Sequence, residues 1–179
     1  MLDSGPAVTV RALLPGAQSV SVIGLGPYQE TEAQQLDKTG LFEAVFPGDT
    51  DILPYRLKAD FGSDSISTFF DCYSFSPCLT EYDLYLFNQG NHLEIYEKLG
   101  AHPLVHQGVP GVLFGVWAPS AARVSLVGDF NQWHGLRHQM RCRGTSGVWE
   151  LFVPHLCTGQ LYKFEIRTQN GTILLKSDP

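Results

Sequence analysis

The chain has 179 residues, 44% hydrophobic and 17% charged, which is ample apolar material for two small cores and excludes a globally disordered chain. Twelve Lys and Arg against eighteen Asp and Glu leave a net charge of −6 with no basic block, so no nucleic-acid partner is expected, because phosphate neutralisation needs a cationic surface. Asp3 stands early in an amino terminus without a continuous apolar run and no stretch approaches a membrane span; neither a secretory signal nor a membrane partner is expected, and the localisation read is cytoplasmic.

The predicted elements begin with a repeat. "LPGAQSVSVIG" (14–24) aligns with "APSAARVSLVG" (118–128) at an offset of 104 residues. "GLFEAVFP" (40–47) aligns with "GVWELFVP" (147–154), and "YRLKA" (55–59) with "YKFEI" (162–166), both at 107, so three extra residues fall in one loop. Residues 1–75 therefore form a first module of short strands. Residues 76–100 change pattern: Leu84 and Phe87, then Leu93, Tyr96 and Leu99, fall at helical spacings. Thr80 and Asn91 are placed to cap two short helices, and Gly90 and Gly100 to stop them. Their apolar faces are expected to hold the two modules as a packed pair. In residues 101–179 the runs "VLFGVWAP", "RVSLVG", "GVWELFVP", "LYKFEIRT" and "TILLK" are β-branched or aromatic. In "LYKFEIRT", Tyr162, Phe164 and Ile166 alternate with Lys163, Glu165 and Arg167. The expected architecture is all-β, two immunoglobulin-like β-sandwiches joined by a short helical linker.

Catalytic chemistry is not legible. Paired carboxyls and a nucleophile beside a base are both missing, and Glu150 and Glu165 read as solvated outward positions. His134, His138 and His155 read as exposed loop histidines. Cys72, Cys78, Cys142 and Cys157 have neither C-x-x-C spacing nor zinc-finger histidines, so they read as reduced thiols. "GLGPYQ" (24–29) puts Pro27 where a phosphate loop needs N–H groups. No catalytic residue, metal or cofactor is expected in this chain.

The one unusual stretch is "VGDFNQWHG" (127–135). Gly128 suits a left-handed strand end, Asp129 and Asn131 can hydrogen-bond their own backbone, and Phe130 is expected to plug the sandwich end. Trp133 then has no obvious core position. Two readings stand level: a ring stacked on the C–H face of a sugar with its N–H free for a hydroxyl, or a lid over the loop or against a neighbouring domain. Lys163, on the outward face of its strand, is a second candidate donor, although a strand Lys alone is usually just solvated. Trp149 reads as core and Trp117 as a domain-contact residue.

The runs "LGAHP" (99–103), "GVLFGVWAPSAARVSLVGDFNQW" (111–133), "GVWELFVP", "GQLYKFEI" (159–166) and "LKSDP" (175–179) resemble the family 48 carbohydrate-binding module in the form carried by bacterial glycogen branching enzymes. The segment "YDLYLFNQGNHLEIYEKLGAH" (82–102) is similar to the one that joins their two amino-terminal modules, and residues 10–23 resemble the first module with its opening lost. The resemblance implies a parent enzyme with a family 13 (β/α)₈ barrel that cuts an α-1,4-glucan by a retaining mechanism and reattaches the piece to a 6-hydroxyl. The catalytic carboxylates would lie in that barrel, so a chain ending at Pro179 is expected to be silent alone. The implied partners are weakly bound α-glucan, glycogen or maltooligosaccharide, and the protein's own C-terminal barrel. Carried over residue by residue, the implied sugar contacts are Trp133 and Lys163. Glycogen-binding relatives have a second Trp in the hairpin that here reads Gln169-Asn170-Gly171-Thr172, which implies weak affinity. The first copy has Pro27-Tyr28-Gln29 in place of Asn131-Gln132-Trp133, which implies a structural role. A free-standing glucan-binding or scaffolding module is the alternative.

Overall fold

Both copies of the repeat fold into antiparallel strands whose pairings correspond residue by residue in a computed structural model describing residues 7–24, 30–47, 54–63 and 65–178. Residues 1–6 and Pro27-Tyr28-Gln29, on which two of the readings above fall, lie outside the described residues. The chain divides into two compact units, Met1–Ser76 and Pro77–Pro179.

The first unit contains β1 (Ala7–Leu13), β2 (Ser19–Gly24), β3 (Thr31–Gln35), β4 (Leu41–Pro47), β5 (Tyr55–Asp60) and β6 (Ile66–Phe70). They pair in the order β1-β4-β3-β2-β5-β6. Strand β3 turns the corner: Thr31–Ala33 pair with β2, whereas Gln34 and Gln35 pair with β4. The two halves thereby close over one core that includes Val10, Val20, Val22, Phe42 and Leu57. Alternation explains the burial, since Val20 and Val22 go inward while Ser19 stays exposed.

The second unit contains α1 (Glu81–Asn88), β7 (Gly100–His106), β8 (Val109–Trp117), β9 (Ala121–Gly128), β10 (Arg141–Cys142), β11 (Val148–Pro154), β12 (Tyr162–Thr168) and β13 (Ile173–Lys176). Two sheets, β10-β11-β8-β7 and β13-β12-β9, make the sandwich. Phe114 of one meets Tyr162 of the other edge to face at 4.8 Å. The pair Val10↔Ala44 recurs as Phe114↔Leu151, and Val20↔Ala59 as Val124↔Ile166. Even the corner strand persists: Ser21↔Glu32 recurs as the isolated bridge Ser125↔Gln139, and Gln34↔Glu43 as Arg141↔Glu150. The three extra residues therefore lie between Gly128 and Gln139.

The segment after Pro77 packs within the second unit. Leu79 and Leu84 join Leu113 and Val148 in one buried cluster flanked by Phe87 and Leu99. Helix α1 opens with a capping box, in which the Asp83 N–H donates to Thr80 Oγ1 (3.1 Å) and the Thr80 N–H to Asp83 Oδ2 (2.8 Å). The second expected helix is a single 3₁₀ turn, Ile95–Glu97, without a side-chain cap. Leu93 is 88% exposed and Tyr96 66%, so no buried apolar face supports a longer helix. Gly115 lets this segment approach, because a Cβ there would stand 2.4 Å from the Lys98 carbonyl oxygen.

Glu150 corrects the reading of a solvated position. It faces outward from the sandwich as expected, but the segment covers it to 2% exposure. Its Oε2 accepts the Cys78 and Leu79 N–H groups (3.0 and 2.9 Å) and its Oε1 pairs with Arg143. Arg143 also donates to the Leu79 carbonyl (2.6 Å) and to Glu81 (2.8 Å). Trp149 is buried, its indole donating to the Ala118 carbonyl at 3.1 Å. Trp117 is 56% exposed, meets Phe87 edge to face at 6.0 Å and donates to the Ser146 carbonyl at 3.2 Å. Among the described residues no helix is long and apolar enough to cross a membrane, and no His, Cys, Asp and Glu cluster could hold a metal.

Candidate functional site

On the outward face of the sheet β13-β12-β9, Lys163 stands opposite Val127, Glu165 opposite Ser125, and Arg167 opposite Arg123. The segment between Gly128 and Met140 roofs part of this face, which is why Ser125 and Val127 are 0% and 1% exposed. Glu165 is no solvated carboxylate: Arg123 donates to it at 2.6 Å, with both side chains largely covered. Gly135 rests on that carboxylate, for a Cβ there would be 2.1 Å from Glu165 Oε1.

The roof is held by a side chain that imitates backbone. Asn131 is 1% exposed; its Oδ1 accepts the Gly128 N–H at 3.0 Å, and its Nδ2 donates to the Leu126 carbonyl at 2.8 Å. Nδ2 also faces His138 Nδ1 at 3.0 Å. With the amide oriented this way, His138 Nδ1 must accept, so the imidazole is neutral with its proton on Nε2. Burial, aided by the charge of Arg137, holds its pKa below the ordinary histidine value, in agreement. His138 is thus half-buried, not an exposed loop histidine as read. Phe130 is half-buried and meets its ring edge to face at 5.5 Å.

Trp133 emerges from this turn 41% exposed. Gln132 and Trp133 both have left-handed backbone, φ +59° and +56°, a conformation that costs about 1 kcal/mol or more per non-glycine residue. Its N–H donates to the Gly128 carbonyl at 2.9 Å. The indole Nε1 donates to Asp129 Oδ1 at 2.8 Å. Two expectations change here: the indole N–H is engaged, and Asp129 holds the ring where a bond to its own backbone was expected. One ring edge is tethered while a large part of the indole meets solvent.

Lys163 is half-buried, and its ammonium has no hydrogen-bond or ion-pair partner among the described residues. Gly135, two residues past Trp133, rests on Glu165 of the same strand face that carries Lys163. The arrangement can stack one ring against an apolar face and offer one ammonium to hydroxyls. Among the described residues no carboxyl pair or nucleophile with a base is brought together beside them.

Residues 98–179 match the family described as carbohydrate-binding module 48 (isoamylase N-terminal domain). Residues 2–73 match the family described as alpha-1,4-glucan branching enzyme GlgB, N-terminal domain. The chain is similar to the 1,4-alpha-glucan branching enzyme GlgB of Methylococcus capsulatus, 49% identical over 95% of this chain and 23% of that protein. It is equally similar to that of Bradyrhizobium diazoefficiens, 49% identical over 99% of this chain and 24% of that protein. The chain spans about a quarter of the length of the curated relatives it matches. Among solved structures, a pullulanase type I of Bacillus subtilis complexed with maltose aligns over 98% of this chain and 23% of that one, with 18% identity and a TM-score of 0.33.

Proposed function

We propose that the chain is the amino-terminal, two-module part of an alpha-1,4-glucan branching enzyme, a reading supported by the matches of residues 2–73 to the GlgB N-terminal domain family and of residues 98–179 to the carbohydrate-binding module 48 family. In this reading it holds α-glucan for a family 13 (β/α)₈ barrel that transfers α-1,4-linked segments to form α-1,6 branches. The chain's own contribution is to bind and orient. Trp133 stacks on a glucose ring, Asp129 fixes the plane of the indole, and Lys163 donates to sugar hydroxyls.

The observation that supports the glucan contact best is the tether from Trp133 to Asp129, 2.8 Å long and solvent-exposed. A ring fixed before binding loses little freedom on contact, which is how a single aromatic surface gives measurable affinity. Glycogen in a native gel tests the reading: the chain is expected to migrate more slowly, and Trp133→Ala to restore free migration. Wild-type chain that runs unretarded overturns the glucan contact. In the intact enzyme, Trp133→Ala is expected to raise KM for long glucan and leave kcat unchanged.

A further inference from the structure

Where β3 leaves β2 to join β4, the first unit opens a surface groove of about 400 Å³, within the range of small-ligand sites, about 300–1,000 Å³. Gln18, Ser19, Glu32, Gln34 and Gln35 line it, all exposed, over a floor that includes the buried Phe42. The groove follows from the strand switch. The ladder with β2 runs as far as Val20↔Ala33, and the ladder with β4 takes over at Gln34↔Glu43. Ser19 is still paired to Asp60 on its other side, so it faces the gap across from Gln34.

The second unit has the same corner, built with larger side chains. At the repeat offsets, Trp149 stands where the first unit has Phe42, and Arg123 where it has Ser19. Trp149 is fixed by its bond to Ala118, and Arg123 by Glu165. Two larger side chains thus stand in the second unit where two smaller ones border a groove in the first. The polar rim is also partly arranged in advance: the Gln18 N–H donates to the Asp60 carbonyl at 2.7 Å, and its carboxamide lies across Gly62, where a Cβ would be 2.5 Å from Nε2. The side chains of Gln18, Gln34 and Gln35 make no hydrogen bonds among the described residues. Three carboxamides and one carboxylate offer donors and acceptors to a ligand dense in hydroxyls and carry no full positive charge for an anion.

We propose that this groove is a second α-glucan site, on the first module, that holds the chain by hydrogen bonds from Gln18, Gln34 and Gln35 without an aromatic platform. It rests on the reading that the protein handles α-glucan, and it gives the first module a binding role beyond a structural one. The test is titration of the whole 179-residue chain with maltoheptaose, following glutamine side-chain amide and tryptophan indole resonances by NMR. Shifts of the Gln18, Gln34 and Gln35 carboxamides that persist in Trp133→Ala support the site. Gln34→Ala is expected to weaken that response about fivefold, the worth of one net hydrogen bond. Ser19→Arg, placing bulk in the groove, is expected to abolish it while the Trp133 indole still responds. Carboxamides that stay fixed while the Trp133 indole moves overturn the groove alone. Carboxamides that move while the indole stays fixed uphold the groove and overturn the Trp133 contact. Silence at both overturns both.

Discussion

Asn131 does more for the candidate site than the tryptophan it serves, because it replaces three missing partners around a buried turn. Asn131→Ala is expected to cost about 2–3 kcal/mol, since the Gly128 N–H and the Leu126 carbonyl would be buried without partners; urea unfolding of the whole chain measures this. The His138 bond sets a pH dependence. Its folded pKa lies below the ordinary 6.5, so the unfolded chain takes up the proton first as pH falls. Stability from this site is complete above about 6.5 and declines as pH drops from there toward the folded value. Urea midpoints between pH 7.5 and 5 should fall less in His138→Asn than in wild type. An equal fall in both would contradict the neutral tautomer. Trp133 is legible in the sequence because a large ring follows a polar turn. The tether to Asp129 is not, because it depends on two successive left-handed residues, Gln132 and Trp133, that turn the indole back over the turn.

At the level of elements, the segment before β7 is latched to the sandwich by the carboxylate of Glu150 and the guanidinium of Arg143. Arg143 is 8% exposed at its side chain, so Glu150→Ala leaves it only the exposed carboxylate of Glu81 as counter-charge and strips the Cys78 and Leu79 N–H groups of their acceptor; the variant is expected to cost about 3 kcal/mol. Amide exchange at residues 78–88 should accelerate in that variant before the strands of β8 and β11 are affected. Thr80→Ala, which removes the cap of α1, should cost about 1 kcal/mol and accelerate exchange in the first turn of the helix only. Strands with alternating β-branched residues, such as "YKFEI", are readable from sequence because one face of each is wet. Glu150 is misread for the same reason: alternation says which way a side chain points, and only a contact 71 residues away in sequence says what covers it. The second linker helix fails because helical spacing of Leu93, Tyr96 and Leu99 supplies a stripe but nothing to bury Leu93 and Tyr96 against.

Over the whole molecule, the four cysteines report on both units. Burial, with the charge of Asp71, pushes the Cys72 thiol up to about 12, and burial, with the charge of Glu150, pushes Cys78 up to about 11. Cys142 and Cys157 are exposed. Iodoacetamide at pH 8 should therefore modify two thiols in the native chain and four in urea, as counted by intact mass. Native labelling of Cys72 at the rate of Cys157 would mean that the first unit is not packed as described. The repeat is the most legible feature of the sequence, since strand registers in an antiparallel fold admit no slip of one residue without turning each side chain over. The corner strand is the least legible, because in the second unit it has shrunk to one bridge and two paired residues. That shrinkage has a practical meaning. Pairing resumes at equivalent residues after two spans that differ by three residues, so the stretch between Trp133 and His138 is a natural socket, into which foreign recognition loops can be grafted while the Asn131 and His138 bonds keep the surrounding scaffold aligned.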